Sequence, residues 1–232
     1  PDRLPERPGF AEERVWRRLL PRSPRRRAQG RIAEGPFGDR DELQAHRFED
    51  RLPVLDFTRL PAQGRRDAVA DLVRDGDTVA LEGFTHLIPF AAGHEIIRQG
   101  RKRLHLIRMT PDLIYDQMIG MGCADRLTFS WGGNPGVGSL HRLRDAVENH
   151  WPNVLRLNEH THAGMAAAFT AGASHLPFGV LRGYIGSGLT HVNTTIKSVR
   201  CPFTDEVLTA IPALNPDVTI LHAQKADRLG NV

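Results

Sequence analysis

Short apolar runs alternate with helical segments of about ten residues from Asp67 onwards, and this alternation constrains the fold most. The apolar runs are bounded by glycine, proline or asparagine, which is typical of buried strands. The predicted strands are residues 78–81, 104–108, 126–129, 154–157, 207–210 and 218–222. The predicted helices are residues 67–73, 89–99, 111–121, 140–148 and 164–173. Strands separated in this way favour βαβ units, so we predict an α/β fold with an open, mainly parallel sheet flanked by helices.

A glycine-rich loop at residues 130–138 connects a predicted strand to a predicted helix. Its glycines allow positive φ angles and let a ligand approach the main chain closely. Ser139 is predicted to cap the following helix, which leaves free N–H groups at the first helical turn. In open α/β sheets, ligands bind beyond the carboxyl ends of the strands, and this loop falls at such an end.

Polar residues follow four of the predicted strands. Because the carboxyl ends of parallel strands meet at one edge, residues 82–85, 109–110, 130–134 and 159–161 should share a cleft. Such a cleft, lined by backbone N–H groups, hydroxyls and an amide, suits a carboxylate or a thioester oxygen. Glu82 has an alternative interpretation as a solvated or ion-paired residue at a strand end.

Several common sites are disfavoured by the motifs. The loop matches neither the phosphate loop ending in Gly-Lys-Ser/Thr nor the GxGxxG dinucleotide fingerprint, and no Gly-x-Ser-x-Gly elbow is present. No pair of histidines has the spacing of a known zinc motif; those considered are His86, His160, His162 and His222. Cys123 and Cys201 are doubtful nucleophiles. The residues alone thus indicate an α/β ligand-binding domain without a complete catalytic set.

Composition limits the cellular setting. The net charge of +4 is basic, but the arginines do not collect on one periodic face, so nucleic acid is not favoured. No apolar run reaches the roughly 18 residues of a membrane span. Two distant cysteines indicate no disulfide framework. We therefore predict a cytoplasmic protein that binds neither nucleic acid nor membrane.

The two ends of the chain differ from its middle. Residues 1–60 are rich in arginine and proline and contain no lysine, which predicts a disordered or non-native extension. A basic arm for an anionic partner is the alternative. A short apolar patch around Val15 and Leu19 predicts at most one or two helical turns. The first methionine is Met109, and the chain stops at Val232, so we expect a domain truncated at its C-terminus.

Ordered blocks of residues carry a resemblance to a known family. Residues 75–84, Asp-Gly-Asp-Thr-Val-Ala-Leu-Glu-Gly-Phe, resemble the Asp-Gly, apolar strand and Gly-Gly-Phe signature of family I CoA-transferases. Further matching blocks lie at residues 94–98, 130–135, 176–178, 202–204, 212–218 and 222–232. Residues 64–232 therefore look like the A (α) subunit of the glutaconate or 3-oxoacid CoA-transferase type. Glu82 departs from the signature, since it replaces the first glycine.

The resemblance implies transfer of CoA between an acyl-CoA and a carboxylic acid, in a hetero-oligomer with a B (β) subunit. A glutamate of the β subunit is the covalent nucleophile in this family. Its Ser-Glu-Asn-Gly block is not found in this sequence, so the chain alone should be inactive. Coenzyme A is then a substrate, and no permanently bound cofactor or metal is expected.

The resemblance also implies a substrate pocket at the subunit interface. The residues expected to line it are Gly83, Phe84, Thr85, Ser130, Gly132, Gly133 and Asn134. Arg182 is expected to pair with a substrate carboxylate through its fork of donors, with a surface salt bridge as the alternative.

Two other functions remain open. Some relatives of the same fold are hydrolases that cleave a ring of a CoA thioester, and Glu159 is then the candidate base. The third possibility is a non-catalytic binding module of the broader fold.

Overall fold

The computed structural model describes residues 12–17, 55–56, 62–83, 88–134, 136 and 138–224. Its strands are β1 (Glu12–Arg17), β2 (Leu55–Asp56), β3 (Thr78–Glu82), β4 (Leu104–Ile107), β5 (Ala124–Phe129), β6 (Arg156–Glu159), β7 (Phe178–Leu181), β8 (Lys197–Arg200), β9 (Val207–Pro212) and β10 (Val218–Ala223). Its helices are α1 (Ala62–Leu72), α2 (Phe90–Arg98), α3 (Leu113–Gly120), α4 (His141–Glu148), α5 (His162–Ala173) and α6 (Leu189–Val192). None of these described helices is long and apolar enough to span a membrane.

A seven-stranded sheet in the order β2-β1-β10-β3-β4-β5-β6 forms the centre of the fold. The strands from β10 to β6 pair in parallel, whereas β1 and β2 add an antiparallel edge. Helices connect the parallel strands, so the predicted α/β fold with an open, mainly parallel sheet is confirmed.

Strand β1 lies in the region predicted as a disordered or non-native extension. The helical turns suggested there are wrong for Glu12–Arg17, because these residues pair with β10 in the register Val15↔Ile220. A strand at the opposite end of the chain supplies the hydrogen bonds, and local periodicity does not reveal it. The remainder of residues 1–60 lies outside the described residues, apart from β2, and the domain boundary stays a prediction.

The two faces of the parallel sheet are covered by different helices. Val79 and Leu81 of β3 point to the face that packs against α1 to α4, where they join the main hydrophobic core. Ala80 points to the opposite face and packs with Met165 of α5. Fully burying a large apolar side chain contributes about 1.5–3 kcal/mol, so α5 is held on its face largely by such contacts.

A second sheet follows Pro177, in a part of the chain where closely spaced glycines in the sequence predict a long loop. Strands β7, β9 and β8 form a three-stranded antiparallel sheet, with Phe178 opposite Pro212. Its inner face packs against α5 through Ile211. Strand β7 is only four residues long and contains Gly179, so its composition indicates a loop. Pairing with β9 overrides that local preference.

Helix α4 is capped by a distant carboxylate instead of Ser139. The residue at its N-cap position is Leu140, which makes no side-chain capping bond. Asp116 of α3 accepts hydrogen bonds from the backbone N–H groups of Arg142 and Leu143, both at 2.8 Å. The predicted Ser139 cap is therefore wrong, because tertiary packing places a stronger, charged acceptor at the same helix end.

This arrangement predicts unequal effects of two substitutions. Asp116→Ala should lower the free energy of unfolding by about 1–2 kcal/mol, because two N–H groups lose their acceptor. Ser139→Ala is the control and should change it by less than about 0.5 kcal/mol. Urea unfolding followed by circular dichroism measures both. A larger loss for Ser139→Ala would contradict the assignment.

Candidate active site

The carboxyl ends of β3, β4 and β5 lie side by side, and the backbone of Met109 links the last two. Its carbonyl accepts hydrogen bonds from the backbone N–H groups of Ser130 at 3.0 Å and Trp131 at 3.2 Å. The Ser130 hydroxyl donates to the same carbonyl at 2.6 Å. The structure therefore brings together the segments that follow β4 and β5, as expected because the carboxyl ends of parallel strands meet at one edge of the sheet.

Asn134 and Gly138 are bonded to each other across the loop that follows β5. Gly138 donates to the carbonyl of Asn134 at 2.7 Å and accepts from its N–H at 3.2 Å. The Asn134 side-chain oxygen accepts from the N–H of Gly136 at 2.8 Å. Gly138 has a φ of 86°, a conformation that favours glycine. The side-chain oxygen of Asn134 is thus part of the turn itself.

Several backbone donors of this loop are occupied within the protein. Besides the bonds from Ser130 and Trp131, the N–H of Gly133 donates to Pro111 at 3.2 Å. A Cβ on Gly133 would lie 2.7 Å from the Trp131 ring, so glycine allows a close approach there. The expectation of a cleft rich in free backbone N–H groups is therefore wrong for these positions.

A hydroxyl–imidazole pair lies beside the loop. Ser130 Oγ and His162 Nδ1 are 3.1 Å apart. Because the serine hydroxyl already donates to Met109, it accepts from an Nδ1–H of the histidine. His162 is the first residue of α5, which Thr161 caps by accepting from Gly164 at 3.0 Å. From the sequence, His162 is considered only as a metal ligand. Its position shortly after a predicted strand is the signal that could have placed it at the edge beside Ser130.

A buried arginine fixes the backbone after β3. Arg108 follows β4, is 2% exposed, and donates to the carbonyls of Leu81 at 2.8 Å, Gly83 at 3.0 Å and Thr110 at 2.9 Å. Asp112 lies 3.8 Å from its Nη2. The predicted site residue Gly83 is therefore anchored at the edge by Arg108, whose role was not predicted because the sequence marked it only as the end of a strand.

Tyr115 completes this buried polar cluster. Its hydroxyl donates to the carbonyl of Ile107 at 2.7 Å and accepts from the N–H of Leu81 at 3.0 Å. It therefore links the ends of β3 and β4. Burial raises its pKa, so the hydroxyl stays protonated and keeps its role as a donor.

Glu82 ends β3 and lines a cavity. Burial raises the pKa of its carboxyl to about 7, against the opposing charge of Arg108 and a backbone hydrogen bond from Met109. Its Oε1 atom is buried and has no hydrogen-bond partner among the described residues. The cavity has a volume of about 590 Å³ and lies between the sheet and α5; its lining residues include Ala80, Glu82, Met109, Phe169, Leu214 and Thr219.

The remaining predicted site residues are spread more widely. Phe84 and Thr85 lie outside the described residues. Arg182 lies at the surface and forms a two-pronged ion pair with Glu206, at 2.8 and 2.9 Å. This is the surface salt bridge named as the alternative, and a substrate-binding role for Arg182 stays a prediction. Glu159 is exposed at the end of β6.

His160 belongs to a structural network. Asn193 donates its side-chain N–H to His160 Nε2 at 3.2 Å and to the carbonyl of Glu159 at 2.8 Å. His160 Nδ1 lies 3.2 Å from the hydroxyl of Tyr184. Burial lowers the pKa of this histidine, which favours the neutral ring that such bonding needs. Within the described part of the chain, no three His, Cys, Asp or Glu residues are grouped to hold a metal.

The sheet and its flanking helices define an α/β protein, and comparison with known proteins identifies the family. The model of the coenzyme A transferase family matches residues 65–232, so the chain belongs to that family. It is 70% identical over 167 residues to the A subunit of 3-oxoadipate CoA-transferase from Pseudomonas knackmussii. It is 31% identical over 185 residues to the A subunit of glutaconate CoA-transferase from Acidaminococcus fermentans. Each alignment covers 72% of this chain.

Solved structures show the same fold. The glutaconate coenzyme A-transferase of Acidaminococcus fermentans matches with a TM-score of 0.60 and 28% identity, over 66% of this chain and 53% of that one. The decarboxylase AibA/AibB matches with a TM-score of 0.59 and 30% identity, over 66% and 58%. The sequence alignments span 59% of the Pseudomonas protein and 57% of the Acidaminococcus protein, so the chain covers less than two thirds of these relatives.

The raised pKa of Glu82 predicts a pH-dependent stability. Because the folded-state pKa is about 7 and the ordinary value is 4.5, the folded state holds this proton more tightly. Its contribution is complete below pH 4.5 and is lost as the pH rises through 7. Glu82→Gln should therefore stabilise the chain by up to about 3 kcal/mol at pH 8 and hardly at all at pH 4.5. Urea unfolding at both pH values tests this; an equal gain at both would contradict it.

Proposed function

We propose that this chain is the α subunit of a heteromeric CoA-transferase that moves CoA between an acyl-CoA and a carboxylic acid. The observation that carries the proposal is 70% identity to the A subunit of 3-oxoadipate CoA-transferase over 72% of the chain. At this identity we infer the same class of acid, a six-carbon dicarboxylic acid with a 3-oxo group. The protein works in the cytoplasm, and CoA is a substrate instead of a resident cofactor.

The covalent step belongs to the partner in this proposal. A glutamate carboxylate of the β subunit first attacks the thioester carbonyl, which forms an acyl-glutamyl anhydride and releases CoA thiolate. The thiolate then attacks the glutamyl carbonyl, giving a glutamyl-CoA thioester and the free acid. A second acid reverses the two steps and leaves as its acyl-CoA. Every bond broken is matched by one formed, and no redox cofactor is needed.

This chain supplies the surface on which the acid or acyl group is held. Ser130 and His162 present a hydroxyl–imidazole pair at the edge, and Arg108 holds the backbone of Gly83 in place. Cys123 is buried, and burial raises the pKa of its thiol, which makes it a poor nucleophile. These observations support a binding role for the described edge, with the nucleophile on the other subunit.

The decisive experiment is to produce the full-length protein together with its β subunit, followed by an assay of CoA exchange. Acyl-CoA thioesters of dicarboxylic acids serve as donors and 3-oxoadipate as the acceptor. Hydroxylamine added after the acyl-CoA should inactivate the complex by trapping a glutamyl thioester, and peptide mapping should locate that glutamate on the β subunit. Absence of exchange with every donor would reject the proposal. Hydrolysis without an acceptor acid, abolished by Glu159→Gln, would favour the hydrolase function.

Ser130→Ala should lower kcat/KM for CoA exchange by about tenfold. The substitution removes one hydroxyl hydrogen bond to Met109 and the acceptor for His162, and one such bond is worth about 1.4 kcal/mol. Ser139→Ala, an exposed serine at the end of the same loop, is the matched control and should leave kcat/KM unchanged. Steady-state kinetics of the assembled complex measures both. Equal kinetics for both variants would mean that Ser130 only shapes the loop.

A further inference from the structure

The cavity under α5 has one acidic residue, Glu82, among the described residues that line it. Most of the lining is apolar, and its polar members are Glu82, His175, Asn215 and Thr219. No lysine or arginine is found among the lining residues that the structure describes. An anion that enters this cavity must therefore be held chiefly by neutral donors.

The groups around Glu82 determine whether its carboxyl binds an anion in the ionised or in the protonated form. Arg108 lies near it, but the guanidinium donates to backbone carbonyls of Leu81 and Gly83. Asp112 is a second negative charge that disfavours ionisation of Glu82, and the Tyr115 hydroxyl is already bonded to backbone groups. An ionised Glu82 would repel a second carboxylate, whereas a protonated Glu82 can share its proton with it in a short, charge-assisted hydrogen bond.

We propose that Glu82 is a specificity-determining residue that binds one carboxylate of a dicarboxylic acid substrate by donating a proton from its neutral carboxyl. Two observations of geometry carry this assignment. The Oε1 atom is buried without a partner in the described structure, and the side chain lines the cavity at the carboxyl edge of the sheet. The substrate's carboxylate takes the place of the missing hydrogen-bond partner.

The cavity and the Ser130 loop share one residue. Met109 connects the two places, because it lines the cavity with Glu82 and its carbonyl accepts from Ser130. In this proposal, the second carboxyl of a six-carbon dicarboxylic acid bound at Glu82 lies on the side of Met109 and the Ser130 loop. This inference rests on the proposed function for the class of acid. The property that it predicts is the uptake of a proton when the acid binds, which can be measured separately from CoA exchange.

Binding of a dicarboxylate then takes up a proton from solvent at alkaline pH. Because burial raises the pKa of Glu82 to about 7, the carboxyl of the free protein is mostly ionised at pH 8. It must regain its proton to donate to the ligand. The neighbouring Tyr115 keeps its proton throughout this range, because burial raises the pKa of its hydroxyl. His175 also lines the cavity but is exposed to solvent, so it needs a control of its own.

Isothermal titration calorimetry with adipate tests the inference on the complex of the full-length chain with its β subunit. Titrations at pH 8 in phosphate and in Tris, which differ in ionisation enthalpy, should show uptake of close to one proton per adipate. Glu82→Gln keeps a neutral donor and should bind adipate without proton uptake. Glu82→Leu removes the donor and should weaken adipate binding by about tenfold or more. Thr219→Val and His175→Gln are the cavity controls and should retain the proton uptake.

The outcomes separate this inference from the proposed function. Adipate binding without proton uptake, or the same uptake in Glu82→Gln, would overturn it. So would equal affinity of the wild-type complex for adipate and for hexanoate, which lacks the second carboxylate. A complex that takes up the proton with adipate but exchanges no CoA would reject the transferase function and leave the Glu82 assignment standing.

Discussion

A buried guanidinium holds the carboxyl edge of the sheet together. Arg108 donates to the carbonyls of Leu81 within β3, Gly83 directly after β3 and Thr110 in the segment after β4. Burying a cation costs several kcal/mol unless hydrogen bonds and an opposite charge offset it, and three carbonyl acceptors together with Asp112 at 3.8 Å provide that compensation. The segments after β3 and β4 are therefore coupled, and any change in Arg108 would release the backbone at Gly83.

The same residue sets the electrostatics of the cavity. Arg108 attracts the Glu82 carboxylate through its charge, while three of its N–H groups donate to backbone carbonyls. Desolvation then outweighs the attraction, and the pKa of Glu82 rises to about 7. A guanidinium turned towards Glu82 would lower that pKa, but it would leave the Gly83 carbonyl without its donor. Anchoring of the backbone and tuning of the acid are thus two results of one arrangement.

The sequence predicts those parts of the fold whose physical cause is local. Strands β3 to β5 and helices α2 to α5 follow from apolar runs and helical periodicity, and the topology rule places Glu82 and Ser130 at one edge. Features that depend on residues far away in the chain cannot be predicted from local sequence patterns. Strand β7 needs β9, and the α4 cap comes from Asp116 instead of Ser139. Likewise, glycine content suggests free N–H donors in the loop, whereas the structure shows several of them bonded to carbonyls.

Two carboxyl groups at the same edge show why position in a sheet matters more than residue type. Glu159 ends the outermost strand β6 and is exposed to solvent. Glu82 ends the interior strand β3, between β10 and β4, and α5 covers one face of that part of the sheet. Burial between these elements raises the pKa of Glu82 and favours its neutral acid, which can donate a hydrogen bond. In the proposed reaction, the β subunit contributes the nucleophile. In our proposal, Glu82 of this chain donates the hydrogen bond that selects a dicarboxylic acid.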